Sequence, residues 1–173
     1  MRCAGDKVAR GGFTVLEIMI VLAIVGILVM IAAGNFKGLS EKFKVEAETK
    51  QLYADLMDAR GRAMQRDRMF FVQINGNAYN TYEDTFSVPD GDMQLNTGDM
   101  LVASAILRHG INTDNLVGGT GFAFSFNGNG IASVNGTGTI RLVSQVRPDY
   151  DCITVKPTRT KMGQWGGGIC VEK

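Results

Sequence analysis

The sequence of 173 residues is poor in the residues that most enzymes and metal sites need, with one histidine, three cysteines and one tryptophan. Because His109 is the only histidine, a metal site built on several histidines is excluded, and a catalytic triad would depend on that one residue. The chain also lacks a Cys-x-x-Cys pair, a phosphate-binding glycine loop and a nucleophile elbow. We therefore expect no cofactor, no metal and no enzymatic activity.

The chain also lacks a strong excess of charge of either sign. It has 18 Lys and Arg against 17 Asp and Glu, a formal net charge of +1. Such a balance provides no general attraction to nucleic acid or to acidic lipid. The prolines number only three, whereas the 22 glycines fall mostly in the second half of the chain. This composition is typical of an uninterrupted helix followed by a region rich in turns.

One long hydrophobic run is present, FTVLEIMIVLAIVGILVMIAA at residues 13–33. As a helix it measures about 30 Å, the hydrocarbon thickness of a bilayer, and it is apolar on all sides except at Thr14 and Glu17. Three basic residues and one acidic residue precede it, so the positive-inside rule keeps the N-terminus in the cytoplasm. We predict a transmembrane helix at 13–34 and a single-pass protein of the inner membrane, with the C-terminal domain outside the cytoplasm.

A cleaved secretory signal peptide is the alternative interpretation of this run. Such a signal has an apolar core of about 7–15 residues, followed by a small-x-small cleavage site. The run here is longer and contains an acid, and its polar boundary at 35–37 (Asn-Phe-Lys) has no such site. The sequence therefore favours a membrane helix that is retained.

Glu17 is the only charged residue of the hydrophobic run. A carboxylate within a bilayer costs about 2.5–3.5 kcal/mol on insertion scales, so we expect it to have a partner. A charged group of another protein could supply it; alternatively, the side chain extends to the cytoplasmic headgroups. The first interpretation predicts a subunit of a larger assembly.

The segment GGFTVLEIMIVLAIVGILVMIA resembles the class III signal of type IV pilins and pseudopilins, with Gly12, then Phe13, then a glutamate five positions into the mature chain. The resemblance implies that prepilin peptidase cleaves between Gly12 and Phe13, removes a leader of residues 1–12 and N-methylates Phe13. It also implies that Glu17 neutralises the free amino terminus of a neighbouring subunit during filament assembly. Two charges that are costly separately in lipid become tolerable as a pair.

Beyond the membrane segment, residues 35–67 are predicted to form an amphipathic helix, since apolar positions recur at intervals of three and four. From residue 68 the period changes to two, and Gly76-Asn77 predicts a hairpin turn between strands at 69–75 and 78–83. We predict an α+β fold, a long N-terminal helix packed on antiparallel sheets, with a β-rich periplasmic domain at 68–173. Further strands are expected at 101–107, 122–126, 131–134, 139–145 and 152–156.

Two segments of this domain narrow the resemblance. This domain is similar to the GspH/FimT group of minor pilins and pseudopilins in two places. They are FSFNGNG at 124–130 and ITVKPT at 153–158, the second of which is followed by a late cysteine. In that group the N-terminal helix packs on two small sheets. The resemblance implies a minor subunit of a type IV pilus or of a type II secretion pseudopilus, whose partners are other pilins.

Of the three cysteines, Cys3 lies in the leader, and Cys152 and Cys170 lie in the domain predicted to be periplasmic. Thiols oxidise in that compartment, and two cysteines allow one intramolecular pairing. A disulfide that closes this loop lowers the entropy of the unfolded chain and so stabilises the fold by about 3 kcal/mol. We predict a disulfide that ties the end of the chain to the sheet; two free thiols are the alternative.

A second hypothesis for the function of this chain follows from its resemblance to FimT-type minor pilins, some of which capture DNA through a basic Gly-Arg-x-Arg motif. The corresponding segment here is Thr-Arg-Thr-Lys at 158–161, so the glycine and the second arginine are replaced. Lys156, Arg159 and Lys161 would form a phosphate-binding patch beside Trp165 as a stacking surface. The alternative is an ordinary solvated loop. A third hypothesis is a single-pass protein with a periplasmic binding domain and no filament.

Two other polar features of the sequence do not predict a site. Asp90, Asp92 and Asp99 lie close together in the sequence, but the residues between them do not follow the EF-hand pattern. His109, between Arg108 and Gly110, is interpreted as a solvent-facing loop residue.

Overall fold

The computed structural model describes residues 12–86, 91–116, 118–119 and 121–173, with only the backbone described at 32–37. One helix, α1, covers Val15–Arg66. Nine strands follow in the described residues: β1 Phe70–Asn75, β2 Ala78–Glu83, β3 Met100–Ile106, β4 Ile111–Asp114, β5 Phe124–Phe126, β6 Gly138–Leu142, β7 Cys152–Val155, β8 Thr160–Gly166 and β9 Ile169–Glu172.

The chain forms two compact units, one that ends at Leu39 and one of Ser40–Lys173. In the first unit the backbone N–H of Glu17 donates to the Thr14 hydroxyl (3.2 Å), a cap for the start of α1. No helix of the described residues is long and apolar enough to cross a membrane. The membrane span at 13–34 therefore stays a prediction. The leader before Gly12, with Cys3, lies outside the described residues.

The second unit contains two antiparallel sheets. Four strands form the first sheet in the order β3-β2-β1-β5, and five form the second in the order β4-β6-β7-β8-β9. The predicted hairpin is present: Asn75 pairs with Ala78 across Gly76-Asn77. Gly76 has a φ of +63°, a conformation that glycine adopts without steric cost.

The predicted stripe of α1 forms the centre of this unit's core. Its six residues are each at most 2% exposed: Val45, Thr49, Leu52, Leu56, Ala59 and Ala63. The polar member of the stripe is satisfied, because the Thr49 hydroxyl donates to the Val45 carbonyl (2.8 Å). Side chains from both sheets join the same cluster, among them Phe70 and Ile140. The α+β fold, with the helix packed on antiparallel sheets, is thereby confirmed.

A hydrogen bond also ties α1 to the first sheet. The Tyr79 hydroxyl on β2 donates to the Asp55 carboxylate on α1 (2.5 Å). Burial, together with this carboxylate, raises the pKa of Tyr79. The tyrosine therefore stays neutral and acts as a donor at neutral pH.

Three strand predictions were wrong. Residues 131–134 form no strand, since only Ala132 makes a single bridge, to Phe126. The series does not end at 152–156, because β8 and β9 follow, and the short, polar strand β4 was not predicted. The isolated apolar residues at 131–134 resemble the alternating pattern of a strand, which explains the false prediction there. In β8 the glycines interrupt such a pattern, which explains why that strand was missed.

The predicted pairing of Cys152 with Cys170 is present as a disulfide, with the two Cα atoms 6.0 Å apart. The two cysteines lie on β7 and β9, which flank β8, so the bond passes over the middle strand. Gly163 on β8 pairs with Cys152. A Cβ at Gly163 would lie 2.3 Å from the Val171 carbonyl oxygen and 3.0 Å from the Cys170 sulfur. Only glycine fits under this disulfide.

We expect Gly163→Ala to lower the free energy of unfolding of the fragment 40–173 by about 1–3 kcal/mol, because the added methyl must displace backbone. Gly166→Ala on the same strand is the matched control, since its Cβ would meet no atom within 4 Å. Urea denaturation measures both variants. Equal stabilities for the two would contradict the packing under the disulfide.

Candidate functional site

The residues predicted for processing and assembly lie at the start of α1. Phe13 and Glu17 have exposed side chains, and they line a hollow of about 230 Å³ with Ile18, Val21 and Leu22. Glu17 stands in the first turn of α1, where a negative charge interacts favourably with the helix dipole. Both the end at Phe13 and the carboxylate are therefore accessible to another molecule.

The three cations predicted as a phosphate-binding patch are brought together around one acid, Glu172. Its carboxylate lies 2.5 Å from the Lys156 ammonium, 3.5 Å from the Arg159 guanidinium and 3.5 Å from the Lys161 ammonium. The hydrogen bond from Lys156, with the three positive charges, holds the pKa of Glu172 below its ordinary value. Sequence reasoning missed Glu172, because β9 was not predicted, and Lys161 lies on β8 rather than in a loop.

Trp165, the fourth residue of the predicted patch, contacts a different cation. The Arg141 guanidinium on β6 lies over its indole ring, 4.7 Å from the ring centroid. The Trp165 backbone N–H donates to the buried Asp151 carboxylate (2.6 Å), which fixes this end of β8. A pocket of about 210 Å³, named here the Arg141 pocket, is lined by Asn112, Thr113, Asp114, Thr139, Arg141 and Trp165.

The interpretation of His109 as a solvent-facing residue is wrong. Its imidazole is 11% exposed and lies between two carboxylates of α1, with Nδ1 2.8 Å from Glu48 and Nε2 3.2 Å from Glu41. The backbone N–H groups of Arg108 and His109 also donate to Glu48, at 3.0 and 3.3 Å. The two glutamates are seven residues apart, two helical turns, and so share a face of α1. Hydrogen bonds from Lys44 and His109 lower the pKa of Glu41.

The acidic residues between β2 and β3 organise their own loop. Asp84 is buried and accepts the backbone N–H groups of Asp92 and Met93, at 3.2 and 2.8 Å. Burial raises the pKa of Asp84. Asp99 accepts backbone N–H groups in the same way, and Asp90 lies outside the described residues. Among the described residues, no cluster of three or more His, Cys, Asp or Glu side chains could hold a metal ion.

We expect Glu48→Ala to destabilise the fragment 40–173 by about 1–3 kcal/mol, because it leaves the imidazole and two backbone donors without their acceptor. Asp58→Ala removes another acid of α1, which pairs with Arg62 at the surface. That control should change the stability by no more than about 0.5 kcal/mol. Urea denaturation compares the two variants, and losses of equal size would contradict the anchoring role of Glu48.

The stabilisation from Glu172 depends on pH. Because its folded pKa lies below its ordinary value of 4.5, the carboxylate stabilises the fold above that pH, and the stabilisation disappears as the pH falls through the folded pKa. We expect Glu172→Gln to lower the urea midpoint at neutral pH but not in acid below the folded pKa. Added salt should shrink the neutral-pH difference, since the cluster is partly exposed. A difference that is independent of pH would contradict this assignment.

The chain matches the family described as "Type II transport protein GspH" over residues 48–159, which cover α1 from Glu48 onward and β1 to β7. Two structures of the minor pseudopilin EpsH from the type 2 secretion system of Vibrio cholerae are similar to it. One has a TM-score of 0.51 at 13% identity and covers 70% of this chain and 94% of that one. The other has a TM-score of 0.48 at 15% identity and covers 70% and 97%. No curated protein sequence matches. The chain therefore belongs to the GspH family of type II transport proteins and has the fold of a minor pseudopilin.

Proposed function

We propose that this chain is a non-enzymatic minor subunit of the type II secretion pseudopilus, assembled through its N-terminal helix. The observation that carries the proposal is the family match over 48–159 in a chain that also has the Gly12-Phe13 junction and Glu17. The match makes the C-terminal domain a pseudopilin domain. The N-terminal residues supply the chemistry that a pseudopilin needs to enter a filament.

Prepilin peptidase cleaves between Gly12 and Phe13 and methylates the new amino terminus. The cleaved end remains positively charged and lies one turn before Glu17 on its own chain. In the filament, the Glu17 carboxylate meets the Phe13 ammonium of a neighbouring subunit. Removal of both charges from water is costly, and their attraction in an apolar surrounding offsets that cost.

The apolar side chains at the start of α1 support assembly through this segment. They are exposed from Phe13 to Ile31, with Phe13 at 79% and Met30 at 79%. Before assembly the inner membrane covers them, with the N-terminus cytoplasmic and the domain periplasmic. The Cys152–Cys170 disulfide suits that oxidising compartment.

A structural role is favoured over DNA capture by the same domain. Glu172 contacts all three cations of the predicted patch, so the charge presented to a phosphate is reduced. Trp165 is already stacked with Arg141 rather than with these cations. A type IV pilus would use the same N-terminal chemistry, and the family match favours the secretion system.

The proposal is tested with Glu17→Ala in cells that assemble pseudopili. We expect the variant to be cleaved, because the Gly12-Phe13 junction is intact, but to enter filaments at least about tenfold less than the unchanged chain, because the ammonium partner is lost. Quantitative immunoblots of sheared filaments measure incorporation. The control, Asp58→Ala, removes an exposed acid of the same helix and should assemble normally. Normal incorporation of Glu17→Ala would contradict the charge pairing.

A further inference from the structure

The Arg141 pocket lies on the face of the second sheet that points away from the core. Arg141 stands between Ile140 and Leu142, both fully buried, so its side chain projects from the opposite face. Asn112 on β4 is directly opposite Arg141 in the register. Asp114 is opposite Thr139, two positions along β6. Trp165 reaches this group from β8, beyond the end of β7.

Arg141 has no acidic partner in the part of the chain that the structure describes. Its Nε atom is buried and forms no hydrogen bond there, although its guanidinium stacks on Trp165. The cations of the neighbouring cluster differ, because Lys156, Arg159 and Lys161 all contact Glu172. Any external acceptor would bind the terminal nitrogens of the guanidinium, since Nε itself is covered.

The chemistry of the pocket fits one carboxylate. A planar guanidinium presents parallel N–H donors, an arrangement that matches the two oxygens of a carboxylate. The Asn112 amide and the Thr139 hydroxyl supply further hydrogen-bonding groups at the rim. A volume of about 210 Å³ accommodates one side chain rather than a large ligand.

We propose that the Arg141 pocket is a docking site for an aspartate or glutamate side chain of a protein partner. Arginine and tryptophan dominate the energetics of protein interfaces when they lie together at the centre of a contact. The site is also preorganised, because the disulfide ties β7 to β9 and Asp151 fixes the Trp165 backbone. This site lies outside the N-terminal helix and does not depend on the filament proposal.

The charges of this face complement an acidic partner segment. Its cations are Arg141, Lys156, Arg159 and Lys161, against the acids Asp114 and Glu172, so the face carries an excess of two positive charges. Nucleic acid, by contrast, binds through several phosphates, each neutralised by its own cation. Here Glu172 is shared by three of the four cations, so Arg141 is the one cation of this group that contacts no acid in the part of the chain that the structure describes. These features favour a single carboxylate on a protein.

Trp165 is the only tryptophan of the chain, so its fluorescence reports on this pocket alone. The experiment titrates the full-length chain in detergent micelles with a short glutamate peptide, with its glutamine counterpart and with a short oligothymidylate. We expect a saturable change in fluorescence with the glutamate peptide and none with the glutamine peptide. Circular dichroism establishes that each variant used below is folded.

Arg141→Gln should weaken binding of the glutamate peptide by about tenfold or more, since two charge-assisted hydrogen bonds are lost. Arg141→Lys keeps the charge but loses the fork geometry and should give an intermediate loss. Arg147→Gln removes an exposed arginine outside the pocket and should leave binding unchanged.

Three results would overturn the proposal. The first is that the unchanged chain gives no saturable fluorescence response to the glutamate peptide. The second is that Arg141→Gln binds this peptide as tightly as the unchanged chain does. The third is that the oligothymidylate binds more tightly than the glutamate peptide and that its binding depends on Arg141. The last result would make the pocket a nucleic-acid site. An assay of how much Arg141→Gln enters filaments distinguishes a loss of partner docking at this pocket from a loss of assembly through Glu17.

Discussion

The fold of the second unit depends on one packing interaction, the burial of a single stripe of α1 between two antiparallel sheets. The stripe presents small and large apolar side chains, and Leu52, Leu56, Ala59 and Ala63 all lie buried in the same core cluster as side chains of both sheets. Full burial of one leucine contributes about 1.5–3 kcal/mol. Among the described strands the two sheets share no ladder, and the core cluster that they form with α1 connects both of them to the helix.

This packing leaves the helix with two different surfaces. One face of its C-terminal half is committed to the domain core, and its polar positions anchor loops, as Glu48 does for the segment at His109. Its N-terminal part instead carries exposed apolar side chains with Glu17 among them. A pseudopilin needs this division, because the same helix must hold a folded domain and enter a filament. The Arg141 pocket, on the outer face of the second sheet, is a third surface, for which we propose contact with another protein.

Local patterns predicted the elements whose signals lie within a few residues. The four- and three-residue spacing predicted the helix, Gly76-Asn77 predicted the hairpin, and the two cysteines of the C-terminal region predicted the disulfide. Strands β8 and β9 were missed, because Gly163 lies under the disulfide and Gly167 and Gly168 form the turn between the two strands, so the alternating pattern is lost.

Local sequence patterns could not predict the contacts between residues that are far apart in the sequence. Glu48 lies about sixty positions before His109, and nothing local indicates that α1 will bring two glutamates to that imidazole. Glu172 and Arg141 were missed for the same reason, since each acquires its role only when the register of the second sheet is fixed. The three cations of the predicted patch do lie together, but Glu172 lies among them and Trp165 contacts Arg141 instead.

The central claim is that this pseudopilin is processed so that its N-terminal helix can assemble by charge pairing. Mass spectrometry of the N-terminal peptide of the chain, isolated from its native membranes, tests it most directly. The account predicts a mature chain that begins with N-methylated Phe13. A chain that still begins at Met1, with an unmethylated amino terminus, would contradict it.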